Sequence, residues 1–524
     1  MILEFRSVLE KNKKGIILSF MMVFLGLFVF YNFNILEKRE YDNLNATIVA
    51  YKFLILAAIS MIALLIAYFW IKKPNVKIEN IHLVLVSVLG VAYMLLFLPH
   101  TIPDEPVHYF NAYNISNYFT FNFKQSNSEF LLMRESDLKF FEATASTNQS
   151  AEYYKTILNG FSVFSLENAL VENIDVNASL QTNSLFGYVF SALGITVARI
   201  LNLSPILTYY TGRFFNVIMF SLMSYWAIKR MPYGKMSVFA ISILPMTLHL
   251  VASYSYDSQI IALSMLFVSQ ILYMIEKESY IDIKDMAVCL ILAMLLAPSK
   301  LVYLPIIFLV FIVPKQNFSL SSKNIFWVKT AMVAIVVAFT FVIQLGNMIN
   351  GVSDHSIRWS DEEARTVSFV LKNPIETIEV FINTIFSKGA FYLNTMVGGS
   401  LGWFQINIPL YGYLPFFIIL AYSFAMHEGE KCKLVFIDKL WALLLVAGSV
   451  VLVFATMLIA WTPKSYNYIE GVQGRYFIPL LSVLYIAFKN NLVVIKPRYD
   501  KYFMFLALYC NVIIGIYSFV NSLV

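Results

Sequence analysis

Cysteine is scarce: the 524 residues hold three, Cys289, Cys432 and Cys510. Two fall in apolar runs and one in a short basic loop, without the spacing of a zinc site or a disulfide framework, so thiol chemistry is not expected. Charge is low as well, at 13% of residues against 59% hydrophobic and 16% aromatic. That balance excludes a soluble domain of this length. There is no Walker A loop, no glycine-rich dinucleotide fingerprint after a strand, no HExxH and no GxSxG. Nucleotide-driven chemistry and a nucleotide cofactor are therefore not expected. Internal repeats, low-complexity tracts and heptads are missing too. The first apolar run has no small-residue cleavage site behind it and is long enough to be a retained helix.

What is abundant is apolar length. Runs at about 15–33, 49–71, 81–98, 206–228, 236–253, 258–275, 286–298, 301–313, 325–347, 411–427, 438–461, 475–489 and 502–522 give roughly thirteen spans at about 20 residues each. The net charge of +6 does not point to nucleic acid, because Lys and Arg gather in short loops between these runs. With the N-terminus inside, the inner loops carry Lys72, Lys73 and Lys77, then Lys229, Arg230 and Lys235, then Lys315 and Lys323, with further basic loops near Lys433 and Lys496. That is the positive-inside pattern. It survives only if the apolar stretch Leu185 to Leu203 lies at the outer interface as a helix instead of crossing. Two long segments, about 99–205 and about 348–410, then face outward, the second with a helical stretch near Asp361 to Phe386.

The sharpest motif is Pro103-Asp104-Glu105-Pro106-Val107-His108, directly after the third run. Proline favours the first helical position, so a helix is expected from Pro106 with Asp104 or Glu105 as its N-cap and His108 one turn in. An acidic cap with a solvated histidine would explain the motif without function. Yet other charges recur where runs meet the same outer face: Arg213, Asp257, Lys300 and Arg475. Each alone could snorkel to the interface. Together they need a reason, since charge at membrane depth costs several kcal/mol unless paired or wet. Arg and Lys suit a lipid-linked phosphate, and a carboxylate suits general-base work or a hard divalent cation.

The ordered set Pro103 to His108, Gly212-Arg213-Phe214-Phe215-Asn216, Leu244-Pro245-Met246, Ala252 to Asp257 and Gln473-Gly474-Arg475-Tyr476 resembles the bacterial membrane-protein domain-of-unknown-function family 2142. That family in turn resembles the GT-C glycosyltransferases, multi-span enzymes that take sugars from polyprenyl-phosphate carriers outside the cytoplasm. The resemblance implies an all-α, GT-C-like polytopic bundle with interfacial helices: two N-terminal spans over 1–80, a core over 81–490, and a last loop and span over 491–524. It also implies Asp104 or Glu105 as catalytic base. Asp257 would be a second acidic residue, which with Asp104 could hold Mg or Mn. The outer-face charges Arg213, Asp257, Lys300 and Arg475, with His108, are on their own chemistry expected to bind a polyprenyl-phosphate-sugar donor, and a cell-envelope glycan or lipid is expected to accept. The two extra spans before the acidic loop depart from the usual arrangement but preserve sidedness. The rival expectation is a transporter or flippase of lipid-linked intermediates, which would place polar residues through the bilayer midplane.

Overall fold

A computed structural model describes residues 77–122, 131–145, 162–165, 169–173, 185–319, 322–353, 356–357, 359–430, 432–489 and 493–521, with single positions at 58, 61, 63 and 65. The first apolar run and nearly all of the second lie outside the described residues. Helix dominates. The first half contributes α1 (Ile78–Leu96), α2 (Glu105–Phe119), α3 (Glu135–Ala145), α4 (Leu185–Ile200) and α5 (Pro205–Arg230). Next come α6 (Lys235–Ser242), α7 (Pro245–Val251), α8 (Asp257–Glu276), α9 (Ile283–Ser299) and α10 (Ser322–Ser353). The series ends with α11 (Val367–Lys372), α12 (Pro374–Val397), α13 (Leu410–Phe424), α14 (Phe436–Ala460), α15 (Ile478–Phe488) and α16 (Asp500–Asn521). Strands form only two-stranded pairings among the described residues.

Five stretches of the described residues are long and apolar enough to cross a membrane: Ile78–Leu96, Asp257–Glu276, Asn324–Leu345, Phe436–Ala460 and Pro497–Ser518. Several expected runs take a different form. The run 236–253 is two helices, α6 and α7, because Pro245 cannot donate the backbone bond that would continue the first. The run 301–313 is a 3-10 helix, Leu301–Ile312, with Pro305 inside it. Its 12 residues still reach roughly 24 Å, since a 3-10 helix rises about 2.0 Å per residue. The run 475–489 opens with a 3-10 turn, Gly474–Phe477, ahead of α15.

The helix expected over Asp361 to Phe386 also differs. Ser360–Glu363 is a strand paired with Ser356–Ile357, and Glu363 meets Lys464 at 2.7 Å. Helix resumes at Val367, and α12 starts afresh at Pro374, where proline's missing N–H costs nothing. In the first long segment, α2, α3, α4 and an antiparallel pair, Leu131–Arg134 with Leu170–Asn173, form a layer with its own core around Tyr109, Tyr113, Tyr188 and Tyr209. α4 packs closely on α5: a Cβ on Gly194 would lie 2.6 Å from the Thr211 carbonyl oxygen. Its other side exposes Phe186, Phe190, Leu193, Val197 and Ile200, an apolar stripe at helical spacing.

Candidate functional site

The chain leaves α1 at Leu96 and turns into α2 through Asp104, whose φ of 63° lies in the left-handed region that aspartate tolerates better than most residues. Asp104 takes the N-cap position of α2, one of the two expected, but its side chain makes no capping hydrogen bond. Its Oδ2 instead accepts a 2.6 Å hydrogen bond from Arg475 Nη2, across 371 positions of sequence. Arg475 stands in the 3-10 turn before α15. Asp257, the first residue of α8, places Oδ2 3.6 Å from Arg475 Nε and Oδ1 3.6 Å from Lys300 Nζ. Lys300 sits at the junction of α9 and the 3-10 helix. Asp104, Asp257, Lys300 and Arg475 therefore meet, as the sequence suggested.

Exposure divides their roles. The Asp104 side chain is 49% exposed, while Arg475 is 4%, Asp257 7% and Lys300 20% exposed. Arg475 Nε and Nη1 and Asp257 Oδ1 are buried without hydrogen-bond partners. Buried charge without good partners is costly, so these atoms present donors and an acceptor that the protein's own groups do not take up. The Tyr476 ring supports both cations, with Lys300 Nζ 3.9 Å and the Arg475 guanidinium 5.4 Å from its centroid. His108 Nδ1 lies 2.7 Å from the Tyr188 hydroxyl. Burial pulls its imidazole down to about 4, Asp104 and Asp257 oppose that, and Arg475 and Lys300 add to it. At pH 7 it is a neutral hydrogen-bonding group among four charges.

Glu105 and Arg213 are brought together, but in a separate, closed pair. Both side chains have no exposure. Arg213 donates from Nε to Glu105 Oε1 (2.7 Å) and from Nη2 to Oε2 (2.5 Å). Its other donors go to the carbonyls of Phe97 (2.6 Å), Leu98 (3.0 Å) and Met94 (3.4 Å). Glu105 further accepts from the backbone N–H of His100 (3.1 Å) and Tyr254 (3.4 Å). Every guanidinium proton and both carboxylate oxygens are engaged. This arrangement leaves no polar atom free for the base role expected of Glu105 or the phosphate role expected of Arg213, and the pair ties the α1–α2 turn to α5.

The divalent cation expected at Asp104 and Asp257 does not fit either. The Arg475 guanidinium stands between the two carboxylates and Lys300 flanks one of them. Among the described residues no three His, Cys, Asp or Glu side chains converge as a metal site. The three cysteines are free. Tyr476, Tyr256, whose ring lies 5.7 Å from Lys300 Nζ, and Tyr188 were not singled out from sequence. The first two adjoin Arg475 and Asp257 in the motifs, a usable signal, whereas Tyr188 had none.

Gly474 fixes where Arg475 stands. Its N–H donates to Thr395 Oγ1 (3.0 Å), and a Cβ there would lie 2.2 Å from the Tyr392 carbonyl oxygen and 2.3 Å from the Met396 nitrogen. Gly474→Ala is expected to cost about 1–3 kcal/mol through overpacking against backbone. Thermal unfolding in detergent would measure it, and unchanged stability would mean the turn moves freely.

The opposite ends of the helices carry other ion pairs: Arg230 with Asp285 (2.7 Å), Lys235 with Glu79 (3.3 Å) and Lys489 with Glu430 (2.7 Å). The α1 helix, 19 residues and so roughly 28 Å long, separates Glu79 from the Asp104 turn. Together, apolar helices and a charged cluster confined to one end define a helical membrane protein with a polar site at the end of its bundle. A family model described as "Predicted membrane protein (DUF2142)" matches residues 85–484, and the chain belongs to that family. No curated protein and no solved structure matches it.

Proposed function

We propose that the protein is a GT-C-type membrane glycosyltransferase that moves a sugar from a polyprenyl-phosphate carrier to a cell-envelope glycan or lipid. The observation that carries this reading is Arg475: two of its buried nitrogens have no hydrogen-bond partner, and the third holds a half-exposed carboxylate, Asp104. Unpaired guanidinium donors beside an ammonium suit a phosphate monoanion, and the carboxylate next to them suits an acceptor hydroxyl. With Asp104 and Asp257 charged, the four groups sum to zero, so a single phosphodiester charge is the better match than a diphosphate.

In the proposed reaction Asp104 takes the proton of the acceptor hydroxyl as that oxygen attacks the anomeric carbon. The bond from that carbon to the phosphate oxygen breaks, and its electron pair leaves with the lipid phosphate beside Lys300 and Arg475. Configuration inverts. Asp257 keeps the two cations in register, and neutral His108 orients the sugar or acceptor by hydrogen bonding. No step requires a metal. The gathering of charge at the end away from Arg230, Lys235 and Lys489 supports an extracytoplasmic site in a bacterial cytoplasmic membrane, with the N-terminus inside. The apolar stripe of α4 supports an interfacial position for that helix in a bundle of about thirteen spans.

Lys300→Gln tests the phosphate role. It is expected to raise the KM for a polyprenyl-phosphate-sugar roughly tenfold, the value of one charge-assisted contact, in a reconstituted transfer assay. An unchanged KM would remove Lys300 from the donor site.

A further inference from the structure

We infer that Arg475 couples donor binding to base release: an anionic headgroup draws its guanidinium off Asp104, and only then is the Asp104 carboxylate free to accept a proton. The exchange itself rests on geometry, and its catalytic meaning rests on the transferase reading above. A single hydrogen bond, Nη2 to Asp104 Oδ2 at 2.6 Å, holds the guanidinium, beside the longer ion pair with Asp257 and the Tyr476 ring. Asp257 is 3.6 Å from Nε, too far for a hydrogen bond, and Nε and Nη1 have no hydrogen-bond partner although buried. A phosphate offers two or three acceptor oxygens to those donors and competes well with a one-point contact.

Asp104 can give up its partner at small cost, because half of its side chain is exposed and water can replace the guanidinium. Arg213 shows the contrast inside the same protein. All its donors are used, Glu105 has no exposure, and no anion could enter without breaking the pair. While Arg475 is in contact, it occupies an oxygen that a base would use. An acceptor arriving first thus meets a masked carboxylate. Donor binding unmasks it, which makes the order of addition donor first and protects the acceptor from misplaced activation.

The test is carbodiimide labelling of Asp104, read by mass spectrometry on the full-length protein in detergent, with farnesyl phosphate, inorganic phosphate or farnesol present. Farnesyl phosphate is expected to raise labelling roughly tenfold, the release of one charge-assisted hydrogen bond, and farnesol to leave it unchanged. An equal rise with inorganic phosphate at higher concentration assigns the effect to the headgroup alone, and a rise only with farnesyl phosphate assigns it to the lipid-anchored form. Both support the exchange. Arg475→Gln is expected to label fast without ligand and to lose the response; if that variant does not fold, the wild-type comparison decides. Labelling that stays level or falls with farnesyl phosphate overturns the exchange. Because labelling needs no turnover, sugar transfer without unmasking would sink only this inference, and unmasking without transfer would sink only the glycosyltransferase reading.

Discussion

Asp104→Asn is expected to slow sugar transfer by about 10²–10⁴-fold, the usual contribution of a positioned proton acceptor, while leaving the protein folded. The fold should survive because Asp104 is half exposed, caps nothing with its side chain, and is replaced by a group of the same shape whose oxygen can still accept from Arg475 Nη2. The amide cannot accept the proton, so kcat should fall far more than donor affinity. Transfer rates and a melting curve on the same preparation separate the two effects. A variant that transfers at the wild-type rate would move the base elsewhere.

Its neighbour should behave in the opposite way. Glu105→Ala or Arg213→Ala is expected to destabilise the protein by about 3–5 kcal/mol, because each leaves a charge buried without its partner. Replacing both, as Glu105→Leu with Arg213→Met, should recover much of that loss, since it removes the stranded charge together with the pair. Thermal unfolding of Glu105→Leu, Arg213→Met and the double variant forms a closed cycle. If Arg213→Ala melts like wild type and instead binds lipid phosphate weakly, the guanidinium is a ligand and the closed-pair account fails.

These opposite fates mark the limit of what sequence reveals. Runs of apolar residues and the bias of Lys and Arg made a membrane bundle legible, and Asp104, Asp257, Lys300 and Arg475 could be chosen because charge is rare in such a chain. Which of two adjacent acids faces the cluster was not legible. It depends on a left-handed turn at Asp104 and on partners 108 and 371 positions away, and local pattern encodes neither. Hydropathy also missed the break within 236–253, because it registers Pro245 as apolar and is blind to its missing N–H. The strand at Ser360–Glu363 was missed for a related reason: its acids suit a helix start, but Lys464 and Ser465 hold them from a loop about a hundred positions on.

The Arg475 geometry also bears on the metal. A guanidinium between two carboxylates supplies positive charge where Mg or Mn was expected. That substitution would remove the need for ligand-grade convergence of acids, which the described residues do not show.

The central claim is most directly tested with purified protein in liposomes containing a polyprenyl-phosphate-linked sugar and a mixture of cell-envelope glycan and lipid acceptors. The expected result is cleavage of the sugar from the phosphate, transfer with inversion at the anomeric carbon, and loss of both in the Asp104→Asn variant. Passage of the intact lipid-linked sugar from one leaflet to the other without cleavage, equally in wild type and variant, would contradict it.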